Sequence, residues 1–167
     1  MLPVDGRTVF ITGCDSGFGH QLACRLDKLG LTVFAGCLIE GGDGAQKLRS
    51  LCSRSLKIVP IDVTSDDSVR LAQKIVEDSL PDKSKGLWAV VNNAGIWRWG
   101  EIEWAKVDIF KEVAEVNVYG MVRVTKAFLP LIRQAKGRIV NVGSMSGMFT
   151  VPAGATYCMS KICHRIF

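Results

Sequence analysis

The chain predicts one doubly wound α/β domain over residues 1–167, built on an open parallel sheet, and three features of the sequence say so. Short β-branched runs alternate with helix-length stretches, no tight hairpin turn joins one run to the next, and a glycine cluster stands between the first run and the first helical stretch. The runs are Thr8-Val-Phe-Ile-Thr12, Leu31-Thr-Val-Phe-Ala35, Leu56-Lys-Ile-Val-Pro-Ile61, Leu87-Trp-Ala-Val-Val91 and Gly137-Arg-Ile-Val-Asn-Val142. Strands that cannot turn straight back must be joined by crossovers, which makes them parallel and covers both faces of their sheet. Residues 17–29 place Leu22, Leu26 and Leu29 on one helical face, and Thr64-Ser-Asp-Asp67 supplies capping residues before Val69, Leu71, Ile75 and Val76. The longest helical stretch, residues 108–134, contains Gly120 and Pro130, which are expected to bend or end it.

Composition removes several classes of function. At 167 residues and 48% hydrophobic, the chain is large enough for one buried core. The net charge of +5 comes from scattered Lys and Arg, with no basic run and no interleaved aromatic platform, so nucleic acid is not the expected partner. The apolar stretch at residues 31–39 is far short of the roughly twenty residues of a membrane span and reads as a buried strand. Six cysteines form no C-x-x-C pair and no zinc spacing, so they are expected as free thiols and no metal is expected. Met1 stands a few residues before the first strand, so a targeting presequence is expected to be absent from this chain.

The glycine cluster is Thr12-Gly-Cys-Asp-Ser-Gly-Phe-Gly19. In an open parallel sheet this is where a dinucleotide pyrophosphate binds. Gly13 suits the tight turn, Gly17 lets the backbone approach phosphate and Gly19 permits close packing, while the helix N-terminus attracts the anion. Thr12, Asp15, Ser16 and Phe18 complete this candidate loop. Asp62 ends the third strand, where it can accept from an adenine amino group with Val63 against the ring. Asn92-Asn93-Ala94-Gly95 follows the fourth strand, its small residues admitting the cofactor and its amides tying strand ends together. Cys37 stands at the end of the second strand, where an acidic residue grips a ribose or a basic one greets a 2′-phosphate. With Asp15 in the loop and no Lys or Arg at positions 14, 16 or 38, NAD is expected over NADP.

Tyr157 and Lys161, at i and i+4 on an expected helix, share one face. A phenol titrating near pH 10, about three units above neutrality, needs an adjacent cation to act as acid and base, and Lys161 supplies one. Ser144, just after the fifth strand, is placed to hydrogen-bond the reacting oxygen. Asn117, in the long helix, is placed to hold a water linking Lys161 to solvent. Trp97, Trp99 and Trp104 border either a substrate mouth or a packing contact.

In this order, the glycine loop, Asp62, Asn-Asn-Ala-Gly, Asn117, Ser144 and Tyr157-x-x-x-Lys161 resemble the short-chain dehydrogenase/reductase family over almost the whole chain, a Rossmann-type fold. The resemblance implies hydride transfer between a nicotinamide and a small-molecule secondary alcohol or ketone, with Tyr157 as acid/base, Ser144 orienting the substrate, Lys161 positioning the ribose and favouring phenolate, and Asn117 in a proton relay. It also implies a homo-oligomer through the helices holding Asn117 and Tyr157. Val33-Phe-Ala-Gly-Cys-Leu38, Ala114-Glu-Val-Asn117 and Phe128-Leu-Pro-Leu-Ile-Arg133 look most like the branch acting on 3-hydroxybutyrate, with retinol and hydroxysteroid dehydrogenases nearby. By that likeness the compartment is mitochondrial or, alternatively, the endoplasmic reticulum. Family members run on through further strands and a substrate-covering loop, so the fifth strand with Ile139 and Val140 is expected as an exposed edge. The end of the chain, with His164, departs from the family pattern. A shortened cofactor-binding form without turnover is the alternative of another class.

Overall fold

A computed structural model describes residues 6–163; the divergent end with His164 lies outside the described residues. Five parallel strands, β1 Thr8–Ile11, β2 Thr32–Cys37, β3 Lys57–Pro60, β4 Ala89–Asn92 and β5 Arg138–Asn141, lie in the order β3-β2-β1-β4-β5. The order runs one way from β1 to β3 and the other way from β4 to β5, so the chain reverses direction across the sheet between β1 and β4. A crevice opens at the C-terminal ends of strands that part in this way.

Strand alternation assigns the two faces. Phe10, Phe34, Val59 and Val90 point to one side, where α3 (Asp66–Asp78) and α5 (Met121–Gln134) cover them with Val69, Ala72, Val76, Val124 and Phe128. Val9, Ile11, Val33, Ala35 and Val91 point to the other, under α1 (Gly17–Lys28) and α2 (Asp43–Leu51), which contribute Ala23, Ala45 and Leu48. The α2 helix has no strong apolar run of its own, and only Ala45 and Leu48 in it are buried. Ser65 caps α3 by accepting from Ser68 N at 3.2 Å, and Asp66 and Asp67 complement the positive end of the helix.

Some expectations about faces are corrected. Leu22 and Leu26 pack on the core, but Leu29 is the C-cap of α1 and is exposed, because the helix ends before it completes another turn. Leu71 in α3 is likewise exposed, lying off the stripe formed by Val69, Ala72 and Val76. The long helical stretch neither ends nor breaks at Gly120 or Pro130. It runs as α4 (Val107–Ala114), a π-helical segment Glu115–Gly120 and α5, with Pro130 inside α5 on its exposed side. Gly120 is there for contact: a Cβ on it would lie 2.7 Å from Val63 Cγ2. The last helix among the described residues is α6, Ala155–Ile162. Among the described residues β5 is an edge strand, with Val140 exposed and Ile139 packed against the core.

Two phenylalanine rings of the core, Phe10 of β1 and Phe128 of α5, stack with centroids 4.5 Å apart and planes 15° from parallel, both fully buried. Phe128→Ala removes this stack and leaves a void beneath β1. We expect urea unfolding to show a loss of about 3–5 kcal/mol.

Candidate active site

At the C-terminal ends of β1 and β4 the chain folds around a cleft of about 650 Å³. The glycine loop forms one wall. Gly13, at φ +70°, adopts a conformation that L side chains rarely take, and a Cβ on it would stand 2.8 Å from Ala94 Cα. Gly19 lets α1 pack directly on the loop, since a side chain there would overlap Gly13 O and the Asn93 amide. The first turn of α1 contains no acidic residue and its N-cap, Ser16, makes no side-chain capping bond, so the positive helix end is not neutralised internally.

The paired asparagines fasten the strand ends. Asn93 Nδ2 donates to Thr12 O at 2.9 Å and Gly13 O at 3.0 Å, while Thr12 Oγ1 accepts from the backbone N–H groups of Asn93 at 3.1 Å and Ala94 at 3.0 Å. Asn92 Nδ2 reaches the other way, to Thr125 Oγ1 at 3.0 Å and Asn141 Oδ1 at 2.8 Å. Asp15 closes the β2 side: its carboxylate accepts from Leu38 N at 3.0 Å and Ile39 N at 3.2 Å. Asp62 Oδ1 accepts from Thr64 N at 2.9 Å and Thr64 Oγ1 at 2.7 Å, and both Asp62 and Val63 line the cleft.

Opposite the loop stand Ser144, Tyr157 and Lys161. Ser144 caps a short 3₁₀ turn, Met145–Gly147, by accepting from Ser146 N at 3.1 Å, which leaves its own hydroxyl proton to donate elsewhere. Lys161 is buried, and its Nζ donates to Val142 O at 3.0 Å and lies 5.5 Å from the centre of the Tyr157 ring. Burial lowers its pKa to about 8. Tyr157 rests against Trp97, ring centroids 4.3 Å apart.

Of the expected residues, Gly13, Asp15, Ser16, Gly17, Phe18, Asp62, Val63, Asn93, Ala94, Gly95, Ser144, Tyr157 and Lys161 line this one cleft. Thr12 and Gly19 stand behind it as the buried supports just described. Cys37 is a correction. Its side chain belongs to the core under α1 and α2, because the alternation along β2 turns it away from the cleft, and burial pushes its thiol up to about 12. Leu38 and Ile39 line the cleft at that edge instead. Asn117 makes a clamp: Oδ1 accepts from Ile96 N at 2.8 Å, and Nδ2 donates to Ile96 O at 3.0 Å and to Ser160 Oγ at 2.9 Å. Ser160 Oγ in turn donates to Tyr157 O at 2.7 Å. Ser160, Ile96 and Val142 carried no chemical signal in the sequence; only the fold brings them to the site.

Comparison with known proteins places this geometry. The family described as short chain dehydrogenase matches residues 7–167. The chain belongs to the short-chain dehydrogenase family. Among curated relatives, the chain is 50% identical to the mitochondrial D-beta-hydroxybutyrate dehydrogenase of Bos taurus, over 95% of its own length and 47% of that protein's. It is 46% identical to estradiol 17-beta-dehydrogenase 2 of Mus musculus, over 100% of its length and 44% of that protein's. The chain thus spans about half the length of the curated relatives it matches. The NADPH-bound carbonyl reductase from chicken fatty liver superposes with a TM-score of 0.87 at 30% identity, covering 96% of this chain and 70% of the other.

The downward shift of Lys161 sets a measurable pH dependence of stability in this chain. Between about pH 8 and 10.5 the unfolded chain holds this proton more firmly than the folded one, so the group's contribution to stability rises with pH across that window. Below it, the buried ammonium opposes folding in full. Lys161→Met removes the charge at every pH. The stability advantage of the variant, read from urea midpoints, is therefore expected to shrink as pH climbs from about 8 to 10.5.

Proposed function

We propose that this chain carries the cofactor-binding and acid–base half of a nicotinamide-dependent oxidoreductase that interconverts secondary alcohols and ketones. The observation that carries the reading is the convergence of Ser144, Tyr157 and Lys161 with Gly13, Gly17 and Gly95 on one cleft at the rim of the sheet. The residues fit a dinucleotide. Gly17 leaves open space where a side chain would project, the N-terminus of α1 is uncompensated, and Asp62 and Val63 face the same cleft.

When bound, the nicotinamide supplies the hydride acceptor for oxidation and the donor for reduction. Tyr157 Oη takes the proton from the substrate hydroxyl in oxidation and returns it to the carbonyl oxygen in reduction. Ser144 Oγ donates to that same oxygen, stabilising charge as it develops there. Lys161, held by Val142 O, presents its ammonium near the phenol ring and favours phenolate at working pH; it would also hold the ribose of a bound nucleotide. Through Ser160, Asn117 fixes the turn of α6 that bears Tyr157.

NAD is the proposed cofactor. The Asp15 carboxylate sits on the backbone that follows β2, where a 2′-phosphate would add a second negative charge. Arg49, a cation of α2, is engaged by Glu40 through its carbonyl oxygen at 2.9 Å and its carboxylate at 3.8 Å. Calorimetric titration is expected to give NAD at least about tenfold tighter binding than NADP, the equivalent of roughly 1.4 kcal/mol, and Asp15→Asn is expected to narrow the gap. Tighter binding of NADP overturns the choice.

D-3-hydroxybutyrate is the proposed substrate, supported by the likeness to the bovine enzyme, and that relative's mitochondrial name supports a mitochondrial setting. Ile96, Trp97 and Val142 give the cleft an apolar wall, which favours a second reading in which the alcohol is a hydroxysteroid or retinol. A homo-oligomer through the helices that carry Asn117 and Tyr157 belongs to the same proposal. Following reduced cofactor by absorbance with each substrate separates these readings, and nucleotide binding without turnover identifies a cofactor-binding form. Tyr157→Phe is expected to lower turnover by about 10²- to 10⁴-fold with cofactor affinity unchanged. Undiminished turnover in that variant rejects the assigned acid/base.

A further inference from the structure

We propose that Trp97 is a positioning residue for Tyr157, its indole fixing the plane of the phenol against which the substrate oxygen docks. The inference rests on the acid–base role just proposed for Tyr157, but its ground is geometric. The indole and phenol centroids lie 4.3 Å apart with planes 35° from parallel, and Trp99 backs the indole at 5.0 Å and 58°. The Trp97–Trp99 distance is within the usual range of aromatic pairing, about 4.5–7 Å between centroids, and the Trp97–Tyr157 rings stand just closer than its lower end. Trp97 also lines the cleft, so the stack borders the space a substrate must enter.

The main chain on either side of Trp97 is held independently of its ring. Before it, the N–H and carbonyl of Ile96 are both taken by the Asn117 amide. After it, Arg98 O accepts from Thr156 Oγ1 at 2.7 Å, and Thr156 immediately precedes Tyr157. Gly100 N then donates to Ala153 O at 2.8 Å, extending the seam between residues 98–100 and 153–156. The indole and the phenol are thus carried by two backbone segments stitched together in register, which leaves the ring-to-ring contact to fix the phenol plane about its side-chain bonds.

The ring's contact is separate from its polar atom. Trp97 Nε1 is buried without a hydrogen-bond partner, although buried indole N–H groups usually find one. A residue held for its N–H would present that atom to an acceptor. Here the ring face makes the contact. Phenylalanine offers such a face without the orphaned donor, and alanine offers neither.

The test follows from that difference. The chain has two tyrosines, so Tyr119→Phe leaves Tyr157 as the sole reporter for NMR of ¹³C-ring-labelled tyrosine. In that background the Tyr157 ring signals are expected to be displaced by the indole ring current, to remain displaced in Trp97→Phe and to collapse toward the free-tyrosine position in Trp97→Ala. In the enzyme with cofactor bound, Trp97→Ala is expected to lower kcat by about ten- to a hundredfold, the loss typical of a misplaced catalytic group. KM and cofactor affinity should stay within about twofold, the pattern of an interaction felt in the transition state. Trp97→Phe should restore most of kcat, and this rescue is what a merely structural role for the indole would not produce. Unchanged Tyr157 signals in Trp97→Ala overturn the proposal, as does a loss confined to KM or a Trp97→Phe variant as slow as Trp97→Ala. Should Trp97→Ala fail to fold, Trp97→Leu, which keeps an apolar side chain without an aromatic face, takes its place with the same expected outcomes. A parent enzyme that binds no nucleotide overturns the functional reading instead, and the NMR signature of the stack is read without it.

Discussion

The side-chain amide of Asn93 bridges the carbonyls of Thr12 and Gly13, and the position of the site depends on that bridge. In a doubly wound sheet the strands on either side of the reversal share a ladder, but beyond their last paired residues they are free to splay apart. The crevice exists because they part, and it is useful only if the parting has a fixed width. One planar amide, locked by two carbonyls and answered by the Thr12 hydroxyl, sets that width. Gly13 lets Ala94 come close enough for the bridge to form, and Gly19 leaves room for the amide itself.

From this joint the rest is placed in sequence. Asn92 carries the same tie outward to β5, so the strand that leads to Ser144 is set relative to β1. Asn117 carries it to Ile96 and Ser160, and through Ser160 to the helical turn of Tyr157. The residues with reactive groups are few, and most polar side chains around them serve to hold backbone in register. Lys161 differs, since its charge is kept nearly out of water and its acidity shifts accordingly.

Much of the fold was legible in the sequence because it rests on periodicity. Each of the five strands overlaps a β-branched run, with β2 extending two residues and β4 one residue past it, and their parallel pairing follows from the helical stretches between them. The glycine loop was legible because three glycines crowded into one strand-to-helix turn mark a place where the backbone takes conformations, and permits approaches, that a side chain would block. Facing was harder. Cys37 stands at the expected strand end, but a period of two decides whether its side chain meets the cleft or the core, and it meets the core. Leu71 and Leu29 are apolar residues on the wrong side of a helical stripe, a distinction that composition does not carry. The partnership of Trp97 with Tyr157, far apart in the chain, was out of reach of any local pattern. The clamp made by Asn117 depends on a helix geometry that propensities do not encode.

That geometry has a consequence of its own. In the π-helical segment Glu115–Gly120 the helix holds more residues per turn than its neighbours, and Asn117 lies inside it. Each residue of an ordinary helix advances the azimuth by about 100°. Removing one position from this stretch would let it relax into regular winding and swing Asn117 away from Ile96 while Phe128 stayed seated on the sheet. The segment therefore constrains evolution by length more strictly than by identity: side chains on its outer face can be exchanged freely, but an insertion or deletion there would separate the helix that builds the core from the helix that bears the chemistry.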